Sequence, residues 1–318
     1  MIIRAVFAMV ALTGSAAIAG DRAAPIRDVP IGGMIAATID GKPLTLRVDP
    51  AAPGLPLVST ATAERLALRA GGIGLHLGYV VGKQSVMHQT TVRPMTLGDA
   101  PVKRRIGFPM RPKSLAAGAP WQGHAYALVG DGTIGPGALP EPIVRIALRA
   151  PRAGERTVAL PLVDGGGMFG RFSGEFAQIL IGGVALRVRF DPYHPRTTVT
   201  ANAATLIADA QGGKLTGVTE PVEIAFGITR PVRTMTLATP LAIGPISLSN
   251  LGVRTADVGS ATAIPDADAT PDPDEIVVTA KGKRDPKRDR LTLGADVLDR
   301  CSAIVFDQAA KQVRLTCG

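Results

Sequence analysis

"LTLRVDPAAPGLPLVS" (44–59) ends an alternating apolar run in an aspartate, Asp49, and follows it at once with Pro50. Leu44, Leu46 and Val48 alternate with Thr45 and Arg47, the period of a strand with one buried face. Proline removes a backbone donor and fixes φ, so the strand stops at the aspartate. The same design recurs in "LRVRFDPYHPRTTVTA" (186–201), where Asp191 and Pro192 close the run.

Laying Asp49 on Asp191 aligns Ile39 with Ile181, Gly41 with Gly183, Leu44 with Leu186, Arg47 with Arg189, Pro53 with Pro195 and Ala61 with Ala203. A helix-like stretch follows each, "STATAERLAL" and "TANAATLIADA", with Ser59 or Thr60 and Thr200 or Asn202 as N-cap candidates. Further on, "DGTIGPGAL" matches "RLTLGADVL", which sets Ile134-Gly135 on Leu293-Gly294. Each copy closes with a strand pair, "IVRIALRAPRAGERTVAL" and "SAIVFDQAAKQVRLT". Landmarks in this order predict an internal duplication. The copies run over residues 30–162 and 176–318, and the glycine-rich "VDGGGMFGRFSGE" (163–175) reads as a linker.

The order of strand, Asp, small residues, helix, hairpin region and apolar-apolar-Gly resembles the pepsin and retropepsin-like aspartic peptidases, once per copy. The resemblance implies an all-β, bilobed fold of two related β-barrel lobes with short helices, its aspartates facing each other across a peptide-binding cleft. Asp49 and Asp191 would form the dyad, two carboxylates sharing one proton and activating water against a peptide carbonyl. Gly135 and Gly294 would pack beneath their loops, and Tyr79 in "GYVVGKQ" (78–84) falls where a flap aromatic covers the substrate.

The departures sit beside the aspartates. Pro50 and Pro192 replace the threonine whose hydroxyl and N–H tie the two loops together. Ala51 and Tyr193 replace a glycine that allows close backbone approach, and a tyrosine there is expected to crowd the cleft or push the loop outward. His194 is placed to donate to Asp191 and hold it ionised. These changes favour a cleft that binds peptide without hydrolysing it. The alternatives are a working endopeptidase and an envelope interaction protein.

Residues 1–19, "MIIRAVFAMVALTGSAAIA", read as a signal peptide, with Arg4 before an apolar core and Ala17-Ile18-Ala19 at the cleavage site. A periplasmic or secreted protein is expected, without a transmembrane span. Export argues against a nucleic-acid partner, and so does the 4% aromatic content. The net charge of +9 suits contact with anionic surfaces. Cys301 and Cys317 are the only cysteines and flank a symmetric hairpin centred on "DQAAK", so in an oxidising compartment they are expected to bond.

His76, His88, His124 and His194 show no metal-ligand spacing, and no GxSxG elbow occurs, so neither a metal nor a cofactor is expected. Residues 258–290 have no counterpart in the first copy. "PDADATPDPDE" is acidic and "KGKRDPKRDR" basic, the composition of a solvated, mobile loop. Between them, Glu275, Ile276, Val277, Val278, Thr279 and Ala280 resemble the TonB box of outer-membrane receptors, an extended peptide that adds to a partner's sheet edge.

Overall fold

A computed structural model describes residues 24–71, 77–81, 84–98, 100–109, 130–165, 174–225, 227–268 and 286–318, and the chain is mostly β. It opens with β1 (Ile26–Val29). A first set of seven strands follows: β2 (Met34–Ile39), β3 (Lys42–Val48), β4 (Leu57–Val58), β5 (Leu77–Val81), β6 (Gln84–Leu97), β7 (Ala100–Pro109) and β8 (Gly132–Ile134). Next come β9 (Ile143–Ala147) and β10 (Arg156–Asp164). The second set is β11 (Glu175–Ile181), β12 (Val184–Phe190), β13 (Thr198–Thr200), β14 (Gly213–Ala225), β15 (Ile228–Ile243), β16 (Ile246–Arg254) and β17 (Arg290–Leu293). The chain closes on β18 (Cys301–Asp307) and β19 (Gln312–Cys317).

The first set pairs in the order β2-β3-β8-β4-β7-β6-β5 and the second in the order β11-β12-β17-β13-β16-β15-β14. Strand for strand these are one topology used twice, as the aligned landmarks require. The sets differ at one edge. β2 also pairs with β6 and closes six strands into a barrel. β11 instead takes β10 as its neighbour, so the second set continues into a larger sheet, and one closed barrel stands where two were expected.

Alternation places the core. Leu44, Leu46 and Val48 of β3 and Leu186, Val188 and Phe190 of β12 are all buried, and Arg47 and Arg189 lie on the opposite face. α1 (Thr60–Arg65) starts at Ser59, whose hydroxyl accepts from Thr62 N–H at 3.1 Å. α2 (Ala201–Gln211) starts at Thr200 and buries Ala201, Ala203, Ala204 and Ile207.

Three expectations change. The closing strands of the first copy do not form a hairpin: the order is β9-β18-β19-β10, so the last hairpin of the chain sits between them. The ends of the expected linker are strand, since Val163 and Asp164 of β10 pair with Phe176 and Glu175 of β11. Residues 258–268 are anchored to the second strand set, although most of their side chains stay exposed. Ala261 and Ile264 are buried, Leu215 N–H donates to Pro265 O at 2.8 Å, and Asp266 pairs with Arg233. Two buried apolar side chains, the pairing of Arg233 with Asp266 and Asp268, and backbone bonds to Leu215 hold the segment against β14 and β15. Residues 269–285, with the TonB-box-like segment, lie outside the described residues, as do residues 1–19.

Cys301 and Cys317 are paired opposite each other and form the disulfide. The bond closes a separation of 16 residues, so its main effect is on the entropy of the unfolded chain. Replacing both cysteines by alanine should lower the unfolding free energy by about 3 kcal/mol, read by urea denaturation. A double variant as stable as the wild type would contradict this.

Candidate active site

Two turns with the same wiring hold the aspartates. β3 runs parallel to β8 and β12 parallel to β17. Just past each pair, Asp49 N–H donates to Ile134 O at 2.9 Å and Asp191 N–H to Leu293 O at 2.8 Å. Each chain then reverses. Ala52 N–H donates back to Asp49 O at 2.9 Å, and His194 N–H to Asp191 O at 3.1 Å. These are β-turns in which Pro50 and Pro192 occupy the second position, where proline's fixed φ fits.

The third positions are Ala51 and Tyr193, and neither has positive φ. No glycine is needed there, so the replacement costs the turn nothing in backbone strain. The third position still supplies an amide to the carboxylate, because Ala51 N–H donates to Asp49 Oδ1 at 2.8 Å. Glycine is needed elsewhere. A Cβ on Gly135 would lie 2.8 Å from Ala52 O, and one on Gly294 would lie 2.7 Å from Arg196 O, both far inside contact distance. Only glycine lets these segments approach the aspartate loops so closely.

Both carboxylates are half-buried. Burial, and next the negative charge of Asp191, push Asp49 up to about 6, against the Ala51 amide and the charges of Arg47 and Arg189. Asp191 is also raised by burial, opposed by Arg189, by His194 and by the amides of Tyr193 and His194. The negative charge of Asp191 is therefore felt at Asp49.

Three contacts tie the second loop to the first. Tyr193 OH donates to Val48 O at 3.4 Å, the Arg47 guanidinium lies 4.1 Å from the centre of the Tyr193 ring, and Arg189 donates to Ala51 O. Tyr193 is thus drawn inward against β3, and its loop is not pushed out. Its hydroxyl is raised to about 12 by burial and by the charge of Asp49. His194 does not hold Asp191 with its ring. The ring nitrogens face the carbonyls of Arg196 and Glu223 at 2.6 and 2.7 Å, leaving its charge and backbone N–H to act on the aspartate.

Arg47 and Arg189, whose charges act on the aspartates, are residues that motif reading passes over. Their signal was in the repeat: each stands two residues before its aspartate, and strand alternation puts both on the aspartate's face. Tyr79 lies in β5, its backbone paired with Val86 of β6, and its side chain is outside the described residues. Among the described residues no group of three His, Cys, Asp or Glu side chains converges on a metal position, and no helix is long and apolar enough to cross a membrane. No protein-family model matches the sequence, and neither does any curated protein.

Glu175, at the start of β11, carries no motif. Its side chain packs against Gly137, and among the described residues its buried Oε2 has no hydrogen-bond partner. Burial pushes it up to about 7, helped by Asp164 and opposed by Lys311. A carboxyl raised on folding stabilises the fold below its ordinary 4.5, and that contribution is lost as pH rises towards about 7. The loss should reach about 3 kcal/mol, and Glu175→Gln should remove it from a series of urea melts over this range. Identical pH profiles for the variant and the wild type would contradict this origin.

Proposed function

We propose that the chain is an exported, bilobed protein of the aspartic-peptidase type, with lobes at 30–162 and 176–318, and that Asp49 and Asp191 act together on an extended peptide held between them. The reading is carried by one observation: two copies of the same strand order deliver two aspartates from identically bonded turns, which the Arg189–Ala51 and Tyr193–Val48 hydrogen bonds tie together. In such a pair one proton serves both carboxyls. The ionised member takes a proton from water as it attacks the peptide carbonyl, and the protonated member donates to the carbonyl oxygen. No metal or cofactor enters this chemistry.

Peptide capture without hydrolysis is the second reading, and Tyr193 favours it. Its hydroxyl bonds to Val48 O, one residue before Asp49, and so occupies space beside the pair.

The two readings separate on one assay. The protein without residues 1–19 is incubated with a diverse peptide pool over a pH series, and products are identified by mass spectrometry. Hydrolysis requires the shared proton, so cleavage should be present at acid pH and fall as pH rises through about 6. Asp49→Asn and Asp191→Asn should each lose roughly 10²- to 10⁴-fold in rate. Peptides retained but intact at every pH would mean capture; neither cleavage nor retention would sink both readings.

A further inference from the structure

Gly33, the residue before β2, stands where the two copies differ most in size. Laying Asp49 on Asp191 sets Gly33 on Glu175 and Ala51 on Tyr193. The second aspartate loop carries the large residue, Tyr193, and meets a glycine of the first copy. The first loop carries the small Ala51, and its next residue has Gly174 beside it, where a Cβ would lie 3.2 Å from Ala52 O.

The approach at Gly33 is the closer of the two. A Cβ on Gly33 would overlap the Tyr193 hydroxyl and would lie 2.9 Å from Val48 O and 3.2 Å from Arg47 Cγ. Its φ of 76° also belongs to the region that favours glycine. The backbone there is held on both sides. Gly33 N–H donates to Pro30 O at 2.9 Å, and Gly33 O accepts from Val48 N–H at 2.8 Å. Gly33, Val48 O and the Arg47 side chain thus form a fixed seat for the end of the Tyr193 ring.

Shape holds the hydroxyl there more than bond strength does. Its bond to Val48 O, at 3.4 Å, is long for an O–H donor, whereas the Arg47 guanidinium lies over the ring at 4.1 Å. Burial and the charges of Asp49 and Asp191 raise the hydroxyl, so both aspartates act on the seated group. The seat belongs to the strand that delivers Asp49, and its occupant to the turn that holds Asp191.

We propose that Gly33 and Tyr193 are a positioning pair: the Tyr193 hydroxyl, seated against Gly33, fixes where the Asp191 turn stands relative to Asp49. This rests on the reading of the two aspartates as an acting pair and adds the contact that aligns them.

Carboxyl-carbon NMR of Asp49 in the full chain reads the alignment. In Gly33→Ala the midpoint should fall from about 6 towards the ordinary 3.8, because an unseated Tyr193 admits water and takes the Asp191 charge away. The further fall produced by Asp191→Asn should shrink to about half of its wild-type size or less, since the interaction weakens with distance. Gly32→Ala controls for backbone strain. Gly32 has a φ of 88°, but a Cβ there meets nothing within 4 Å, so Asp49 should titrate as in the wild type. Tyr193→Phe keeps the ring and removes the atom that the Cβ would overlap, so adding Gly33→Ala to it should move Asp49 much less. If Gly33→Ala does not fold, Tyr193→Leu empties the seat from the other side and should lower the midpoint likewise. An unmoved midpoint in the variant that folds overturns the positioning pair, and so does an equal shift in Gly32→Ala or in the Tyr193→Phe background. A wild-type midpoint of about 6 in those cases leaves the aspartate pair standing, whereas one near 3.8 overturns both.

Discussion

The last hairpin of the chain, inserted between two strands of the first copy, is the constraint on which the rest depends. β18 pairs with β9 through Ala303–Asp307, and β19 pairs with β10 through Gln312–Cys317. Ile304, Phe306, Val313 and Leu315 are fully buried there. Phe306 meets Phe190 edge-on at 6.2 Å, and Phe190 is the residue before Asp191. Hairpin, first copy and second aspartate are thus parts of one packed body. An aromatic side chain buried to this extent contributes about 2–3 kcal/mol, so the strand that delivers Asp191 is packed against the chain terminus as well as within its own sheet. The disulfide closes the hairpin at its open end.

On that base the two aspartate turns solve a problem that the sequence poses. Proline in place of threonine and alanine or tyrosine in place of glycine look like the wreck of a site. In the fold, proline occupies the second position of a β-turn that needs no left-handed residue. The tie between loops that a threonine hydroxyl would have made passes to Arg47, Tyr193 and Arg189. The same arginines set the balance of charge around the pair. Arg47 and Arg189 lower Asp49 and Arg189 lowers Asp191, but burial raises both carboxyls and wins.

Much of this was legible beforehand. The strand periods of 44–48 and 186–190, the duplication, the capping serine of α1 and the cysteine pair all follow from local pattern, and local pattern survives folding. What could not be read depends on which edges meet. Nothing in "IVRIALRAPRAGERTVAL" says that another hairpin will separate its two strands. Nothing in the local pattern of 258–268 marks Ala261 and Ile264 as the side chains that are buried. That Tyr193 lies inward against β3 and leaves its loop in place depends on Arg47, which stands far away in the chain and is brought to it only by the fold. Glu175 is a lone acid whose environment is entirely tertiary.

The central claim is that Asp49 and Asp191 face each other closely enough to share charge. Carboxyl-carbon NMR of Asp49, titrated in the wild type and in Asp191→Asn, measures this without needing a substrate. A midpoint at about 6 that falls when the neighbouring charge is removed is the expected result. Titration near the ordinary 3.8, unmoved by Asp191→Asn, would show two separate aspartates and contradict the pair.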